Sequence, residues 1–212
     1  MIDISTNTTT DGVIRLAGTA LDFGRVERAT CHQDGHTPED DATHTVMLGL
    51  VACGLAARLG HLDIGLVSQF ALVHDLVEVH AGDVNTFEAA PADIARKDRA
   101  EAAALDRIDT DHGLAFPWLP ATIRAYEDRV CPEARFVKAV DKIMPLLTQV
   151  LNEMIPMARQ GITHDRLVAH YDAQFDTMMG YAADFPEVMA VRADLVALTL
   201  SLLDRASTAV AA

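Results

Sequence analysis

The chain has 212 residues, half of them hydrophobic, which suits one globular domain with a sizeable core. Its longest apolar runs, such as 52–57 and 195–200, are too short to span a membrane. A formal net charge of −14 disfavours binding to nucleic acid or to an anionic membrane. Three cysteines without paired spacing and a polar start without basic residues argue against a secreted protein, so we expect a cytoplasmic location.

Alanine is abundant and strand-like alternation is rare, so the sequence favours an all-α domain. The hydrophobic pattern and the placement of Pro and Gly predict helices over 12–23, 43–59, 63–80, 92–111, 117–128, 133–158, 164–181 and 187–206. The polar stretch 25–43 is the longest predicted loop. We expect Pro145 and Pro156 to kink the helix predicted over 133–158. No repeat or linker divides the chain, so residues 1–212 are predicted to form a single domain.

Two histidines and two aspartates lie on helical faces that should be buried. They are His44, His74, Asp75 and Asp141, and each shares its face with aliphatic residues. A single buried histidine is more often a hydrogen-bonded core residue than a metal ligand. Buried carboxylates, however, are costly unless they are paired or bound to metal. Taken together, the four residues predict a mixed nitrogen and oxygen site for one divalent metal ion.

The same residues form a motif. His44, the doublet His74-Asp75 and Asp141 resemble the H…HD…D signature of HD-domain metal-dependent phosphohydrolases. The sequence HDLVEVHAGD at 74–83 is similar to the HD-x-x-E-x-x-x-G-D segment of the HD-domain 5′-deoxynucleotidases. The sequence PEARFVKAVDK at 132–142 is similar to the E-A-x-F-V-K-x-x-D run of that subgroup. The resemblance covers about residues 25–155.

This resemblance implies a compact HD-domain helical bundle with additional C-terminal helices. The helices over 164–206 would either complete the core or form a homodimer interface. The resemblance also implies one bound divalent ion, which could be Mn, Co, Fe, Ni, Zn or Mg. Its ligands would be His44, His74, Asp75 and Asp141.

The resemblance further implies roles for residues around the metal. Glu78 and Asp83 would act in catalysis, although an exposed helix acid and a plain Gly-Asp turn are the alternatives. Arg28 would grip the substrate phosphate with its planar fork of donors, with Arg25 as a rival for this role. Lys138 would bind substrate or neutralise charge at the metal, or simply pair with a surface acid.

Two positions depart from the family pattern. Ala29 follows Arg28 where a Trp is frequent, and Thr43 precedes His44 where Glu or Asp is usual. These departures concern the selection of the sugar and base and the shape of the loop before His44.

We therefore expect a metal-dependent phosphohydrolase that acts on a small nucleotide, most simply a deoxyribonucleoside 5′-monophosphate. A (deoxy)nucleoside triphosphate hydrolase or another phosphoesterase is the enzymatic alternative, but it would need more cations than Arg28, Arg25 and Lys138. A non-catalytic helical binding or assembly protein with a structural metal site is the third alternative. No nucleic-acid or membrane partner is expected, and homodimerisation stays open.

Overall fold

Helices make up most of the chain, and one short hairpin interrupts them near the start. The computed structural model describes residues 9–85, 87 and 91–210. The helices are α1 (Thr9–Phe23), α2 (Asp41–Leu59), α3 (Ile64–Val73), α4 (Glu78–Ala81), α5 (Pro91–His112), α6 (Trp118–Asp128), α7 (Pro132–Asp141), α8 (Met144–Leu151), α9 (Ile155–Arg159), α10 (His164–Ala182) and α11 (Pro186–Val210). The strands are β1 (Glu27–Cys31) and β2 (Pro38–Asp40). The predicted all-α class is confirmed.

Polar residues begin several helices by capping free backbone N–H groups. The Asp40 carboxylate accepts a hydrogen bond from the backbone N–H of Thr43 (2.9 Å) at the start of α2. Asp63 caps α3 in the same way. Gly60 ends α2 in the left-handed conformation, with a φ of 75°. Local sequence therefore fixes the helix that carries His44.

Three helices, α2, α3 and α7, pack against one another at the centre of the fold. Leu48, Phe70 and Val137 contribute to the buried core there. Helix α11 packs against α8, α9 and α10, and its Leu195 and Leu203 are buried in the same core. The C-terminal helices thus complete the core, while homodimerisation stays a prediction.

Helix α2 is the one described helix that is long and apolar enough to cross a membrane by length and composition alone. Core helices also meet that test, so it is weak evidence. Here α2 packs against α3 and α7, and it carries His44.

The predicted loop over 25–43 is wrong in its central part, where β1 and β2 form an antiparallel hairpin. Glu27 lies opposite Asp40, and Cys31 lies opposite Pro38. The turn between them is held by Asp34, whose carboxylate accepts hydrogen bonds from the backbone N–H groups of His36 and Thr37. Both strands are too short to show a clear alternation of polar and apolar residues.

The helix predicted over 63–80 is also interrupted, at the HD doublet. The ring of His74 donates a hydrogen bond to the carbonyl oxygen of Ala71, the acceptor that a continuing α-helix would use for Asp75. The chain then makes tight turns until α4 begins at Glu78. The segment 133–158 divides into α7, α8 and α9, and the interruptions expected from Pro145 and Pro156 are confirmed.

Candidate metal centre

The four side chains predicted as metal ligands meet where α2, α3 and α7 pack together. One ligand atom from each lies within 4.8 Å of the other three, and the residues are His44, His74, Asp75 and Asp141. Three of them are buried, and Asp75 is half-buried. Residues that are far apart in sequence therefore form one compact group of nitrogen and oxygen ligands.

The hydrogen bonding of His74 tests whether this group fits a cation. Its Nδ1 donates to the carbonyl oxygen of Ala71 (2.9 Å), which in the neutral imidazole leaves the lone pair on Nε2. That nitrogen lies 3.0 Å from Asp75 Oδ2 and 3.8 Å from Asp141 Oδ1, buried and with no hydrogen-bond partner among the described residues. In the neutral ring, a lone pair that faces two carboxylates is unfavourable unless a cation lies between them. The residues therefore fit a first-row divalent ion.

Glu39 on β2 belongs to this centre, although sequence reasoning did not identify it. It is 2% exposed, its Oε1 lies 3.4 Å from His44 Nδ1, and the Thr30 hydroxyl donates to its Oε2. On the other side of the ring, His44 Nε2 lies 3.3 Å from Asp141 Oδ1. Burial of the imidazole opposes protonation, but the carboxylates of Asp141 and Glu39 prevail and raise the pKa of His44 to about 9. Glu39 thus orients the ring toward the other ligands.

Two lysines flank the fourth ligand. Asp141 Oδ2 lies 3.4 Å from Lys142 Nζ and 3.6 Å from Lys138 Nζ. Burial favours the neutral acid, but these two ammonium groups hold the pKa of Asp141 well below its usual range. Lys138 also lies 5.7 Å from the centre of the Tyr126 ring. The predicted role of Lys138 in neutralising charge at the metal is consistent with this position.

Arg28 reaches the centre from β1. Its Nη1 donates to Asp41 Oδ1 (2.6 Å) and to Asp75 Oδ2 (3.0 Å), and it lies 3.9 Å from Glu78 Oε2. Asp41, Asp75 and Glu78 form a second group of acids close enough together to hold a metal ion. Because a guanidinium already lies among them, these acids have a fixed cation of their own. Asp41 is a further residue that sequence reasoning did not identify.

Glu78 is buried at the start of α4 rather than exposed on a helix surface. It is 1% exposed, and its Oε1 accepts a hydrogen bond from Lys97 Nζ (3.0 Å). Burial and the charge of Asp75 favour the neutral acid, whereas Lys97 favours the carboxylate. Burial and Asp75 together have the larger effect and raise the pKa of Glu78 to about 9. The carboxyl group of Glu78 therefore keeps its proton to higher pH than a solvent-exposed glutamate does.

A cavity of about 510 Å³ opens beside the four candidate ligands, a size typical of sites for small molecules. Arg28, Asp83 and Lys138 line it, so a small molecule in the cavity could contact all three. Gly82, with a φ of 74°, ends α4 and turns the chain so that Asp83 reaches the cavity. Arg25 does not line the cavity, and it pairs with Asp22 on the surface. Arg28 is therefore the better candidate for binding phosphate.

Residues 24–179 match the sequence profile of the HD domain family. The chain belongs to this family. The fold of the HD domain is shared with the crystal structure of a protein from Magnetospirillum magnetotacticum MS-1 named as a predicted metal-dependent phosphohydrolase. The two chains are 24% identical, with a TM-score of 0.73, over 95% of this chain and 97% of the other. A conserved hypothetical protein from Pyrococcus furiosus is more distant, at 18% identity and a TM-score of 0.49, over 91% and 99% of the two chains. No curated protein sequence matches the chain.

Cations are concentrated around the cavity of this HD domain, although the chain as a whole is strongly acidic. Those lining it are Arg28, Lys97, Lys138, Lys142 and Arg166. The lining acids are Asp75, Glu78, Asp83 and Asp141. With a divalent ion among the ligands, the local charge would be positive and would favour a small anion. Lys97 and Lys142 were not anticipated from the sequence, because nothing in a helical pattern indicates which lysines point toward a shared cavity.

Proposed function

We propose that this HD domain is a metal-dependent phosphohydrolase that removes the phosphate of a nucleotide, preferentially a deoxyribonucleoside 5′-monophosphate. The observation that carries the proposal is the position of His74 Nε2, which faces the carboxylates of Asp75 and Asp141 at the edge of a cation-lined cavity. This arrangement combines a fitting site for a divalent ion with room for an anionic substrate. The resemblance of 74–83 and 132–142 to the deoxynucleotidase segments supports the substrate class.

The metal would be held by His44, His74, Asp75 and Asp141. When bound there, a divalent ion would supply Lewis-acid polarisation of a phosphoryl oxygen and would lower the pKa of a water molecule toward neutrality. Glu39 keeps His44 in the ligating orientation. Lys138 and Lys142 reduce the repulsion between Asp141 and an incoming phosphate.

Arg28 would bind the phosphate. Its guanidinium is held beside Asp75 by Asp41, so it is already placed next to a metal ligand before the substrate arrives. A planar guanidinium can donate two parallel hydrogen bonds to phosphate oxygens. Charge that develops on those oxygens during the reaction would be stabilised by a donor that is already in position.

Glu78 would donate a proton to the leaving alkoxide. Its pKa is raised to about 9, which favours the protonated form needed of a general acid, and it lies close to both Arg28 and Asp75. Lys97 holds the carboxyl group in place and would stabilise the carboxylate left after the transfer. Asp83, which lines the same cavity, would hold water or a sugar hydroxyl.

A triphosphate is the second candidate substrate, favoured by the presence of Lys97 and Lys142 in the cavity wall. The monophosphate is preferred because these two lysines are already paired with acids. Lys97 pairs with Glu101, and Lys142 pairs with Asp141. These pairs leave little positive charge for further phosphate groups.

The proposal is tested by incubating metal-loaded protein with the four common dNMPs and the matching dNTPs in the presence of Mn, Co or Mg. We expect inorganic phosphate and the nucleoside from the monophosphates. Release of intact triphosphate from dNTPs, with monophosphates untouched, would favour the second candidate. Arg28→Ala should lower turnover of the preferred substrate while metal binding persists. A protein that binds metal but hydrolyses none of these compounds would support the non-catalytic alternative.

A further inference from the structure

One side of the cavity has a character different from that of the metal centre. Helix α10 presents Arg166, His170 and Gln174 to the cavity at intervals of four residues, which places them along one helical face. Phe87, from the segment after Asp83, lies against this face. We call these four residues the α10 wall. It contains no carboxylate and none of the candidate metal ligands.

The contacts of Phe87 give the α10 wall its surface. The centres of the Phe87 and His170 rings are 4.4 Å apart, with an angle of 52° between the ring planes. The guanidinium group of Arg166 lies over the Phe87 ring, with its central carbon 5.0 Å from the ring centre. Two aromatic rings and a planar cation therefore meet at the edge of the cavity. His170 is half-buried, and burial together with Arg192 and Arg166 lowers its pKa, so its ring is neutral at pH 7.

An amide group lies beside these rings. Gln149 lines the cavity, and its side-chain amide lies 3.2 Å from the Tyr171 hydroxyl. That hydroxyl donates to the Thr199 hydroxyl (3.0 Å), which in turn donates to the Val196 carbonyl oxygen (2.9 Å). Tyr171 is buried and fixed by this chain of hydrogen bonds, so it holds one end of the Gln149 amide. The other end of the amide is then left to form a hydrogen bond with a ligand in the cavity.

These surfaces suit the part of a substrate that is not phosphate. Flat aromatic faces and an amide group bind a planar heterocycle, whose faces stack and whose edge both donates and accepts hydrogen bonds. A second phosphate group would bind less well at this wall, because Arg166 is the one cation among its four residues and the guanidinium lies over Phe87. An aliphatic group would leave the amide of Gln149 unused.

We propose that the α10 wall is the subsite for the nucleobase, where His170 and Phe87 stack on the base and the Gln149 amide forms a hydrogen bond with its edge. This inference rests on the proposed function, since it assigns the part of the cavity that binds the remainder of a nucleotide phosphate. It also makes the wall, rather than the metal centre, the place where the enzyme distinguishes a nucleotide from a bare sugar phosphate.

The experiment compares dAMP with 2-deoxyribose 5-phosphate, which has the same sugar and phosphate but no base. His170→Ala and Phe87→Ala should each raise KM for dAMP about tenfold, the order of effect of losing one base–aromatic stack. Neither variant should change KM for 2-deoxyribose 5-phosphate or kcat for either compound by more than about twofold. His170→Phe keeps a flat ring and should restore KM for dAMP.

His164→Ala and Phe175→Ala are the matched controls, because both residues are on α10 and neither lines the cavity. Both should leave KM unchanged for the two compounds. An equal rise in KM for dAMP and for the sugar phosphate in His170→Ala would overturn the inference, since it would show a general distortion of the cavity. Unchanged KM values in both wall variants would overturn it as well.

Calorimetric titration of metal-loaded protein with 2′-deoxyadenosine separates this inference from the proposed function. Binding that is lost in His170→Ala but kept in His164→Ala supports the subsite, even if the wild type hydrolyses neither phosphate compound and the proposed function fails. If the wild type hydrolyses both compounds with equal KM and does not bind the nucleoside, the phosphohydrolase stands and the subsite is wrong.

Discussion

The metal centre and the α10 wall face the same cavity but are stabilised differently. At the metal centre, His44 and His74 are each 1% exposed and Asp141 is 5% exposed, and every charged group contacts another. On the α10 wall, Phe87 and His170 are half-buried, and Arg166 is exposed. A buried charge that loses its partner is costly, whereas a half-exposed ring can be removed with little strain. Substitutions should therefore disturb the whole metal centre at once, but the α10 wall only one contact at a time.

The largest effect is expected for Asp141→Ala. This change removes a candidate metal ligand that contacts both histidines and leaves Lys138 and Lys142 without their shared partner. Metal binding and hydrolysis should both fall below detection, and the folded state should lose about 3–5 kcal/mol, as expected for breaking a buried ion pair. Metal content after dialysis, phosphate release and urea unfolding measure the three effects.

The matched control for that change is Asp204→Ala, which removes a more exposed aspartate from α11. It should retain metal and activity. Wild-type metal affinity in Asp141→Ala would show that the four residues do not act as one site. The metal centre would then respond to substitutions one contact at a time, as is expected of the α10 wall.

Glu78→Gln should lower kcat by about 10²–10⁴-fold, the range for loss of a general acid, with nearly unchanged metal content. The sign of the pH dependence follows from the raised pKa. Glu78 carries its proton below about pH 9, so activity of the wild type should fall as pH rises through about 9. That alkaline decline should be absent from the residual activity of Glu78→Gln.

Glu101→Gln tests whether the effect belongs to Glu78 itself, because Glu101 is the other acid paired with Lys97. This control should keep both kcat and the alkaline decline. If Glu78→Gln retained full activity across the pH range, Glu78 would have no part in proton transfer.

A smaller effect is expected for Glu39→Gln. Removing the negative charge beside His44 Nδ1 weakens the orientation of a ligand without deleting one. Metal affinity should fall about 10–100-fold, and kcat at saturating metal should stay within a few-fold of the wild type. Metal titration followed by activity gives both quantities. Glu27→Gln, an exposed change on the same hairpin, should alter neither, and a similar loss in both variants would contradict the assigned role of Glu39.

The smallest effect is expected for Tyr171→Phe, which affects the surroundings of the α10 wall. Loss of the hydroxyl removes its hydrogen bond to Thr199 and its contact with Gln149, so the free energy of unfolding should fall by about 1 kcal/mol. Metal affinity should not change, because Tyr171 does not contact the ligands. Denaturant unfolding and metal titration of the same sample check both statements, and a change in metal affinity would show that the two sides of the cavity are coupled.

The two sides also differ in how far the sequence predicts them. His44, His74, Asp75 and Asp141 could be found because an ionisable residue within an apolar helical stripe is conspicuous. Glu39 could not be found, since it lies on a three-residue strand that shows no usable period. The α10 wall gives no signal either, because half-buried polar residues at intervals of four are also typical of a solvent-exposed helix face.

The end of α3 was also not predicted from the sequence, for a related reason. At the break after His74, the ring of this residue forms a hydrogen bond with the backbone of Ala71, and hydrophobic periodicity does not report such a contact. The breaks near Pro145 and Pro156 were predictable, because proline cannot donate the helical hydrogen bond. Covalent constraints on the backbone are thus visible in the sequence, whereas side-chain competition for a backbone acceptor is visible only in the folded chain.

The wide spacing of the metal-centre residues along the chain has a consequence for folding. His44 and Asp141 are 97 residues apart, and Arg28 is 47 residues from Asp75, so an unfolded chain does not hold these groups together. An ion that binds the native arrangement and not the unfolded chain shifts the equilibrium by mass action, by RT ln(1 + [M]/Kd) for a free concentration [M]. The free metal concentration would then set the population of folded molecules as well as their activity, and a chelator would act on the protein as a mild denaturant.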